Sequence, residues 1–594
     1  MTVRYTVTPA HPREHLFSVR CEVVDPDADG QVFRLPSWIR GSYLVRDFAK
    51  HVVSLRASSR GVPVLIERLD KRSFRCAAVS GELHLDYLIY AFDESVRKAW
   101  LDLRRGFFNG SSLFYCPQGR ERAGFELLLV PPADPECVGW RVATSLAAVS
   151  VDDAGFGRYA AADYEELIDH PVELGGFERL DFDVDGTPHA LVLSGRVELD
   201  RARVQRDLTK ICHVQRELFG QEPALSQYLF LTHVVASGYG GLEHRSSTAL
   251  ICGRGDLPRE GDARLTRDYR GFLGLCSHEY FHLWNVKRIV TERFLESDLG
   301  SEAYSRDLWH YEGLTSYYDD LFLLRAGILD AEMYLDVLAE NATRLERMPG
   351  RHQQTLADAS FEAWIKYYQP DENTPNQAVS YYIKGALVSL CLDLLLRRDS
   401  TITLDDVLRA LWRDYGARGV GVPEGGLERL AQALSGQDLR AFFDRALRST
   451  DELPLTALLA DFGVCAQRRV AVSDGDVGGR VSGAPLTVTL GCKLRPGETR
   501  VAQVLSGSAA ARAGLSVNDH LVALDGWRLT AANWAGRIQN LKVGHRYDLH
   551  VFRNEELLQL SLQVDAPVAD TWTLMLDPQA DAAACTRRRA WLGV

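Results

Sequence analysis

Two histidines stand four positions apart around a glutamate in the segment LCSHEYFHLW, residues 275–284. On a helix, positions i and i+4 lie on one face, so His278 and His282 can direct both imidazoles to one point. Zinc accepts two such nitrogens with a carboxylate and keeps a fourth position for water, which is the catalytic arrangement. Glu279 is offset from the histidines, where its carboxylate can act as a general base. The alternative is that both histidines pack inside a core helix.

A candidate third ligand lies downstream in WHYEGLTSYY, residues 309–318. This segment predicts a helix after the preceding polar loop, and a helix–loop–helix hairpin would return Glu312 to the histidine pair. A carboxylate on an apolar-flanked helix face is costly unless it is paired or binds a metal. We therefore expect one zinc ion held by His278, His282 and Glu312, with an ordinary surface ion pair of Glu312 as the alternative.

Three further segments accompany these motifs: LPSWIRGSYLVRDFAKHV (35–52), YGGLEHRSS (239–247) and YYIKG (381–385). Together with HEYFH and EGLTSYY they resemble zinc aminopeptidases of the thermolysin-like group, in particular the glycyl aminopeptidase family. Its larger relatives of the aminopeptidase N type usually carry G-x-M-E-N where this chain has GGLEH. Leu242 and His244 therefore favour the glycyl family over the larger one.

The resemblance implies roles for residues outside the metal motif. Glu243 would hold the free α-amine of the substrate, and a carboxylate beside an exposed strand edge suits an ammonium group. Gly240 and Gly241 would let the substrate backbone approach closely. Tyr382, chosen over its neighbour Tyr381 by the Y-x-K-G register, would donate to the tetrahedral oxyanion. The alternatives are an edge-strand surface charge for Glu243 and a packing role for Tyr382.

The surrounding pattern predicts a multidomain α+β chain. Short alternating segments punctuated by Gly, Pro and Asp indicate an N-terminal antiparallel β domain of sandwich type over residues 1–170. A strand, a helix and a second strand then open a region that we assign to a thermolysin-like zinc peptidase domain, residues 171–400, from the resemblance. A helical region over residues 401–460 continues the catalytic domain.

Helical periodicity is clearest in the centre of the chain. An amphipathic helix is expected to end at Gly220, and further helices are expected within 269–286, 305–327 and 380–399. A later helix should begin at TLDD, where Thr403 and Asp406 have capping-box spacing.

The C-terminal part returns to short strands, and residues 461–566 are expected to form a PDZ-like domain. Segments 488–494 and 501–526 carry this resemblance. PDZ domains bind a chain end as an added strand, but the loop near residues 490–492 carries a larger residue than the usual glycine-rich pattern, which argues against peptide binding. The tail, residues 567–594, is expected to pack or to be mobile; the alternative is that its apolar end AWLGV docks into the PDZ-like domain.

Composition limits the class of protein. The 594 residues suggest three or four domains, and a net charge of -12 with a pI near 5.8 argues against nucleic-acid or anionic-membrane partners. Eleven cysteines without a C-x-x-C pair fit a reducing compartment. The N-terminus lacks the apolar core of a secretory signal, and the apolar run at 385–396 contains Asp393 and is short for a bilayer, so we expect a cytoplasmic protein.

The combined expectation is a zinc-dependent aminopeptidase that acts on peptides with a free N-terminus. The family resemblance suggests small released residues, glycine or alanine. One alternative is a zinc endopeptidase whose PDZ-like domain selects substrate chain ends, and another is a non-catalytic peptide-binding scaffold. The residue accepted at the cleaved position, the oligomeric state and the physiological peptides do not follow from the sequence.

Overall fold

The structure is a computed structural model that describes residues 2–220 and 223–594. The chain forms two compact units, residues 1–303 with 411–423 and residues 304–410 with 424–594. The expected multidomain α+β organisation, with an N-terminal β-sheet domain and a helical region, is confirmed. The stretch assigned to one peptidase domain, residues 171–400, is divided between the two units.

The N-terminal part of the first unit consists of strands whose side chains alternate between core and solvent. The strand LHLDYLIY shows this pattern, with every second residue buried, as expected for a sheet that packs one face on the core. The strands are β1 (Thr2–His11), β2 (Leu16–Val23), β3 (Val32–Arg34), β4 (Val52–Ser59), β5 (Val62–Val64), β6 (Ile66–Arg68), β7 (Ser73–Cys76), β8 (Leu83–Tyr90), β9 (Ala99–Leu101), β10 (Arg105–Phe108), β11 (Cys116–Pro117), β12 (Gly124–Leu129), β13 (Arg141–Ala143), β14 (Ala147–Val151), β15 (Gly157–Ala161) and β16 (Val172–Gly175), and the helices are α1 (Gly110–Leu113) and α2 (Tyr164–Ile168).

These strands form one eight-stranded sheet, in the order β14-β15-β12-β1-β2-β8-β4-β5, and two four-stranded sheets, β13-β16-β10-β9 and β11-β3-β7-β6. The prediction of a wholly antiparallel domain is wrong at one pair, because β1 runs parallel to β12. Most strands of the domain lie between these two in the chain, and a connection of that length can bring a strand back in either direction.

A mixed five-stranded sheet completes the first unit, in the strand order β17-β18-β19-β21-β20, so that β20 is an edge strand. Helix α3 ends at Gly220, which adopts the left-handed conformation, as predicted. Its Gln215 donates from Nε2 to the carbonyl oxygen of Ser277 at 2.9 Å and so ties α3 to α4. The elements are β17 (Glu178–Val184), β18 (Thr187–Ser194), β19 (Tyr228–Val235), β20 (Tyr239–Glu243), β21 (Ser247–Gly253), α3 (Arg201–Phe219), α4 (Arg267–Phe281) and α5 (Glu292–Leu295).

From residue 304 onward the chain is mainly helical up to residue 461. The predicted cap at Thr403 is confirmed, since its backbone N–H donates to Asp406 Oδ2 at 2.8 Å. The helices of this stretch are α6 (Leu314–Arg325), α7 (Ala331–Glu346), α8 (Leu356–Phe361), α9 (Thr374–Gln377), α10 (Tyr381–Asp399), α11 (Leu404–Asp414), α12 (Gly426–Ser435), α13 (Arg440–Arg448) and α14 (Leu455–Asp461). Three more follow it in the chain, α15 (Ala509–Arg512), α16 (Trp534–Gln539) and α17 (Ala582–Leu592).

One helical stretch among the described residues, Thr374–Asp399, is long and apolar enough to cross a bilayer by length and composition alone. However, 83% of its most apolar 18-residue window is buried inside the protein, as it would be in a core helix. The stretch is therefore weak evidence for a membrane span.

The C-terminal strands are β22 (Val464–Arg469), β23 (Cys492–Leu494), β24 (Val501–Val504), β25 (His520–Leu524), β26 (Trp527–Arg528), β27 (Arg546–Arg553), β28 (Glu556–Gln563) and β29 (Thr571–Leu576). Residues between 488 and 564 share a hydrophobic core of their own. Strand β22 lies outside that core and pairs with β29, and Trp572 of β29 donates from its backbone N–H to Thr343 Oγ1 of α7 at 2.9 Å. The module with its own core is thus shorter than the stretch 461–566 assigned from sequence.

The C-terminal tail packs as expected. It ends in α17, whose Trp591 is buried and meets the rings of Tyr334 at 6.3 Å and Phe462 at 5.8 Å between centroids. These contacts are with the helical region, and they do not support docking of the chain end into the PDZ-like module.

Candidate active site

Helix α4 carries the histidine motif at its C-terminal end. The helix begins after Thr266, whose side chain accepts from the Tyr269 backbone N–H, and it ends at Phe281, so that His282 is its capping residue. The ring centroids of His278 and His282 are 4.6 Å apart, with the planes at 88°. The prediction that the spacing puts both imidazoles on one face of a helix is confirmed, although the helix ends earlier than the periodic pattern suggested.

The tautomer of His282 is determined by its neighbour. Its Nδ1 lies 2.9 Å from the carbonyl oxygen of Asn285, and because a carbonyl can only accept, Nδ1 must carry the proton. The lone pair is then on Nε2, which is the form of histidine that binds a metal, held by the kind of outer hydrogen bond that metal sites use. His282 is 1% exposed, so this arrangement is shielded from water.

The edge strand β20 brings a second carboxylate to the helix. Glu243 is the last residue of β20. One carboxylate oxygen of Glu243, one of Glu279 and one ring nitrogen of His282 lie within 4.8 Å of one another. Glu243 is 3% exposed, so it is not a surface charge. The backbone carbonyl of Glu279 accepts from the Tyr228 hydroxyl at 3.4 Å, which anchors the end of α4 on β19.

Two glycines make room for these carboxylates. A Cβ added at Gly241 would collide with the side-chain carboxylate of Glu279, and one added at Gly41, where φ is +86°, would collide with that of Glu243. Gly240 differs from its neighbour, since its added Cβ would meet only Arg97 Nη1, at 3.8 Å. The absence of a side chain at Gly241 therefore leaves space for Glu279. Gly41, within the motif at 35–52, leaves space for Glu243 in the same way, although the sequence gave it no role.

A partly buried charge cluster surrounds the residues that follow Glu243. Asp169 accepts from Lys287 Nζ at 2.7 Å and from the Arg245 backbone N–H at 3.2 Å, and lies 3.2 Å from His244 Nδ1. Burial alone would raise the pKa of Asp169, but Lys287 and His244 outweigh burial and hold that pKa well below its usual range. The cluster pins the turn after β20, and nothing in the sequence marked Asp169 or Lys287.

In the second unit, Glu312 lies in a π-helical segment, Trp309–Gly313, directly before α6. It is 2% exposed, so the alternative of a surface ion pair does not apply. A Cβ added at Gly313 would lie 2.6 Å from the Cα of Gly385, so α10 and the π-helical segment touch through their backbones. The segment was predicted as an ordinary helix; π-turns occur mostly as single turns and often at functional sites.

Tyr382 lies in the first turn of α10, which is capped by Ser380. Its ring is 5.3 Å from that of Tyr367, and its hydroxyl oxygen is 3.5 Å from that of Tyr368. Burial, and then the charge of Glu312, raise the pKa of Tyr382 well above its ordinary value, so the phenol stays protonated and can donate. Tyr381 is fully buried whereas Tyr382 is partly exposed, which favours Tyr382 as the one that can meet a ligand.

The comparison with known proteins gives a family. The model of the Peptidase M61 N-terminal domain matches residues 4–176, and that of the M61 glycyl aminopeptidase matches residues 271–388. A crystal structure of an aminopeptidase N family protein from Idiomarina loihiensis is 38% identical, with a TM-score of 0.95 over 99% of this chain and 100% of that chain. The chain belongs to the M61 glycyl aminopeptidase family.

This membership makes the chain a metallo-aminopeptidase, and the predicted class of peptide hydrolase is confirmed. Two other solved structures are more distant. An M1 zinc metallopeptidase from Deinococcus radiodurans is 14% identical over 77% of this chain and 95% of that chain, with a TM-score of 0.49. Native yeast LTA4 hydrolase is 13% identical over 78% and 70%, with a TM-score of 0.48. Similarity this weak does not assign a function to the present chain.

A search of curated proteins finds no match.

Proposed function

We propose that this M61 family member is a zinc-dependent aminopeptidase that releases N-terminal residues, small ones such as Gly or Ala, from peptides. The observation that carries the proposal is the buried carboxylate of Glu243 beside Glu279 and His282. One oxygen or nitrogen atom from each of the three side chains lies within 4.8 Å of the other two. An ammonium-binding group this close to a candidate general base leaves room for about one residue between them, since a residue spans ~3.5 Å. Cleavage after the first residue follows.

The proposed metal ligands are His278, His282 and Glu312. The donor set suits zinc, because it combines two imidazoles with a carboxylate, and the Nδ1 hydrogen bond of His282 leaves its Nε2 available. A zinc ion bound there would act as a Lewis acid toward water and the peptide carbonyl. One ion is sufficient for this chemistry.

The protein's own groups then have distinct tasks. Glu279 takes the proton of the attacking water and later passes it to the leaving amine. Tyr382 donates a hydrogen bond from its phenol to the oxygen that becomes negative. Glu243 binds the substrate α-ammonium, and Gly240 and Gly241 let the substrate backbone lie along β20.

The finer structural assignments are also proposals. We assign a thermolysin-like fold to the peptidase region and a PDZ-like fold to the module with its own core between residues 488 and 564. We also propose a cytoplasmic location. The support is that all eleven cysteines are free, as expected in a reducing compartment. Peptides with a free N-terminus are the proposed partners, without nucleic acid or membrane.

The test compares an alanine-initiated peptide with its N-acetylated twin, using the zinc-loaded protein. We expect cleavage of the free-amine peptide after the first residue and resistance of the acetylated one, because acetylation removes the charge that Glu243 binds. Equal rates on both peptides would contradict the role of Glu243, and internal cleavage would favour the endopeptidase alternative. Release kinetics and product mass spectra provide the readout.

A further inference from the structure

The guanidinium of Arg97, between β8 and β9, contacts the edge strand β20 of the candidate active site, and no assigned role uses it. Its Nη2 donates to the carbonyl oxygen of Gly241 at 3.2 Å, and its Nη1 lies 3.8 Å from the place that a Cβ at Gly240 would occupy. The side chain is half-buried. Arg97 therefore lies against β20 at two successive residues, on the stretch that precedes Glu243.

The charge of Arg97 has no counter-ion among the residues that the structure describes. No carboxylate lies within ion-pair distance of it in the part of the chain that the structure describes. Asp93, four residues before Arg97, is already paired with Lys98 at 2.6 Å. The buried Nε of Arg97 also has no hydrogen-bond partner among the described residues. An unpaired buried donor is costly, and the exposed part of the guanidinium is free to receive an anion.

We propose that Arg97 binds the C-terminal carboxylate of short peptides, so that dipeptides and tripeptides are the preferred substrate class. The inference rests on the proposed function, because it takes the substrate amine to lie at Glu243. A guanidinium matches a carboxylate with two parallel hydrogen bonds. One N–H of Arg97 Nη2 is used by the carbonyl oxygen of Gly241, and the remaining N–H groups of the guanidinium are available for this pairing.

The spacing along the strand suits peptides of this length. A substrate with its amine at Glu243 runs antiparallel to β20 and passes first Gly241 and then Gly240. Strand residues advance about 3.3 Å each, so these two positions lie roughly 7 and 10 Å from Glu243. A dipeptide spans about 7 Å and a tripeptide about 10 Å when extended, which brings either carboxylate to Arg97.

Arg97 also limits longer substrates. A peptide that adds to an edge strand uses the strand's main-chain groups as partners, and the Gly241 carbonyl is already engaged by Arg97. A longer chain would have to displace the guanidinium or turn away from the edge. We expect kcat/KM to fall from the tripeptide to a pentapeptide of the same residues.

The experiment measures kcat/KM for Ala-Ala and for Ala-Ala amide, which differ only in the C-terminal charge. For the zinc-loaded wild type we expect kcat/KM to be about 10- to 100-fold higher for the free acid, mainly through a lower KM. This factor is the usual contribution of a hydrogen bond to a charged group. In Arg97→Gln the ratio should fall to about 1, and in Arg97→Lys it should be intermediate. Arg104→Gln, which removes an exposed arginine of the same domain, should keep the wild-type ratio.

The outcomes separate the possible failures. A wild-type ratio near 1, or an Arg97→Gln variant that slows both compounds equally, would mean that Arg97 only holds β20 in place. Thermal unfolding of the variant shows whether a loss comes from misfolding. If the wild type cleaves the amide and longer free-amine peptides but shows no preference for the acid, only the Arg97 proposal fails. Cleavage of none of them would contradict the aminopeptidase proposal itself, and the role of Arg97 with it.

Discussion

Glycine serves different purposes in the two units. In the first unit, Gly241 and Gly41 face the carboxylates of Glu279 and Glu243. In the second unit, Gly313 and Gly385 face each other, and a Cβ on Gly385 would lie 2.9 Å from the Cα of Gly313. One pair makes space for the carboxylate side chains of the candidate site, whereas the other allows two backbones to touch.

A methyl group added at these glycines should therefore have two different effects, according to what it meets. A methyl group beside a carboxylate displaces a side chain that can rotate away, so the fold survives and the chemistry is misplaced. A methyl group between two backbones has no such escape, and the elements themselves must separate. Substitutions in the first unit should therefore change rates, and those in the second should change stability.

The largest expected effect is at the carboxylate that Gly241 accommodates. Glu279→Gln keeps the shape of the side chain but removes the base, so we expect turnover to fall by about 10² to 10⁴-fold. Zinc content, measured by metal analysis, should stay unchanged, because Glu279 is not a proposed ligand. A near-normal rate would refute the base assignment and with it the importance of the space that Gly241 leaves.

The second effect concerns the glycine itself. Gly241→Ala should lower kcat by about 100-fold, the typical cost of misplacing a catalytic group by an ångström, since its methyl group would push against Glu279. Gly240→Ala is the matched comparison, and its effect should be smaller because its nearest new neighbour is 3.8 Å away. Equal losses would mean that both glycines act only by admitting the substrate backbone.

The smallest expected effect is on stability. Gly313→Ala should destabilise the second unit by about 1–3 kcal/mol, the usual cost of overpacking. Gly271→Ala, in α4 of the first unit with nothing within 4 Å of the added Cβ, should instead stabilise by about 0.5–1 kcal/mol. Denaturant midpoints measured with a chelator present separate these effects from metal binding. If Gly313→Ala is as stable as the wild type, the proposed difference between the glycines of the first unit and those of the second is wrong.

Several features of the fold and of the candidate site were predictable because they depend on short spacings. The helical face shared by His278 and His282, the end of α3 at Gly220 and the cap at Thr403 all follow from interactions within a few residues. The early end of α4 and the π-turn at Glu312 were not predicted. Both depend on packing around the helix end, which periodicity does not record.

The cluster around Asp169 and the contact of Gly41 with Glu243 were also beyond the sequence. Asp169 meets Lys287 across more than a hundred residues of chain, and Gly41 reaches Glu243 across two hundred. Such pairs leave no local pattern, since each partner is ordinary in its own segment. Only the closed fold reveals that they belong to one site.

The motif HEYFH alone was enough to predict the kind of chemistry, because metal ligation and proton transfer need particular residue types at helical spacing. The tertiary structure decided how that chemistry is supported: it buried Glu243 beside Glu279, set the tautomer of His282 through Asn285, and brought Arg97 to the edge of β20. The physical reason is that residue type and local period are written along the chain, whereas burial and charge pairing arise only when distant segments exclude water together.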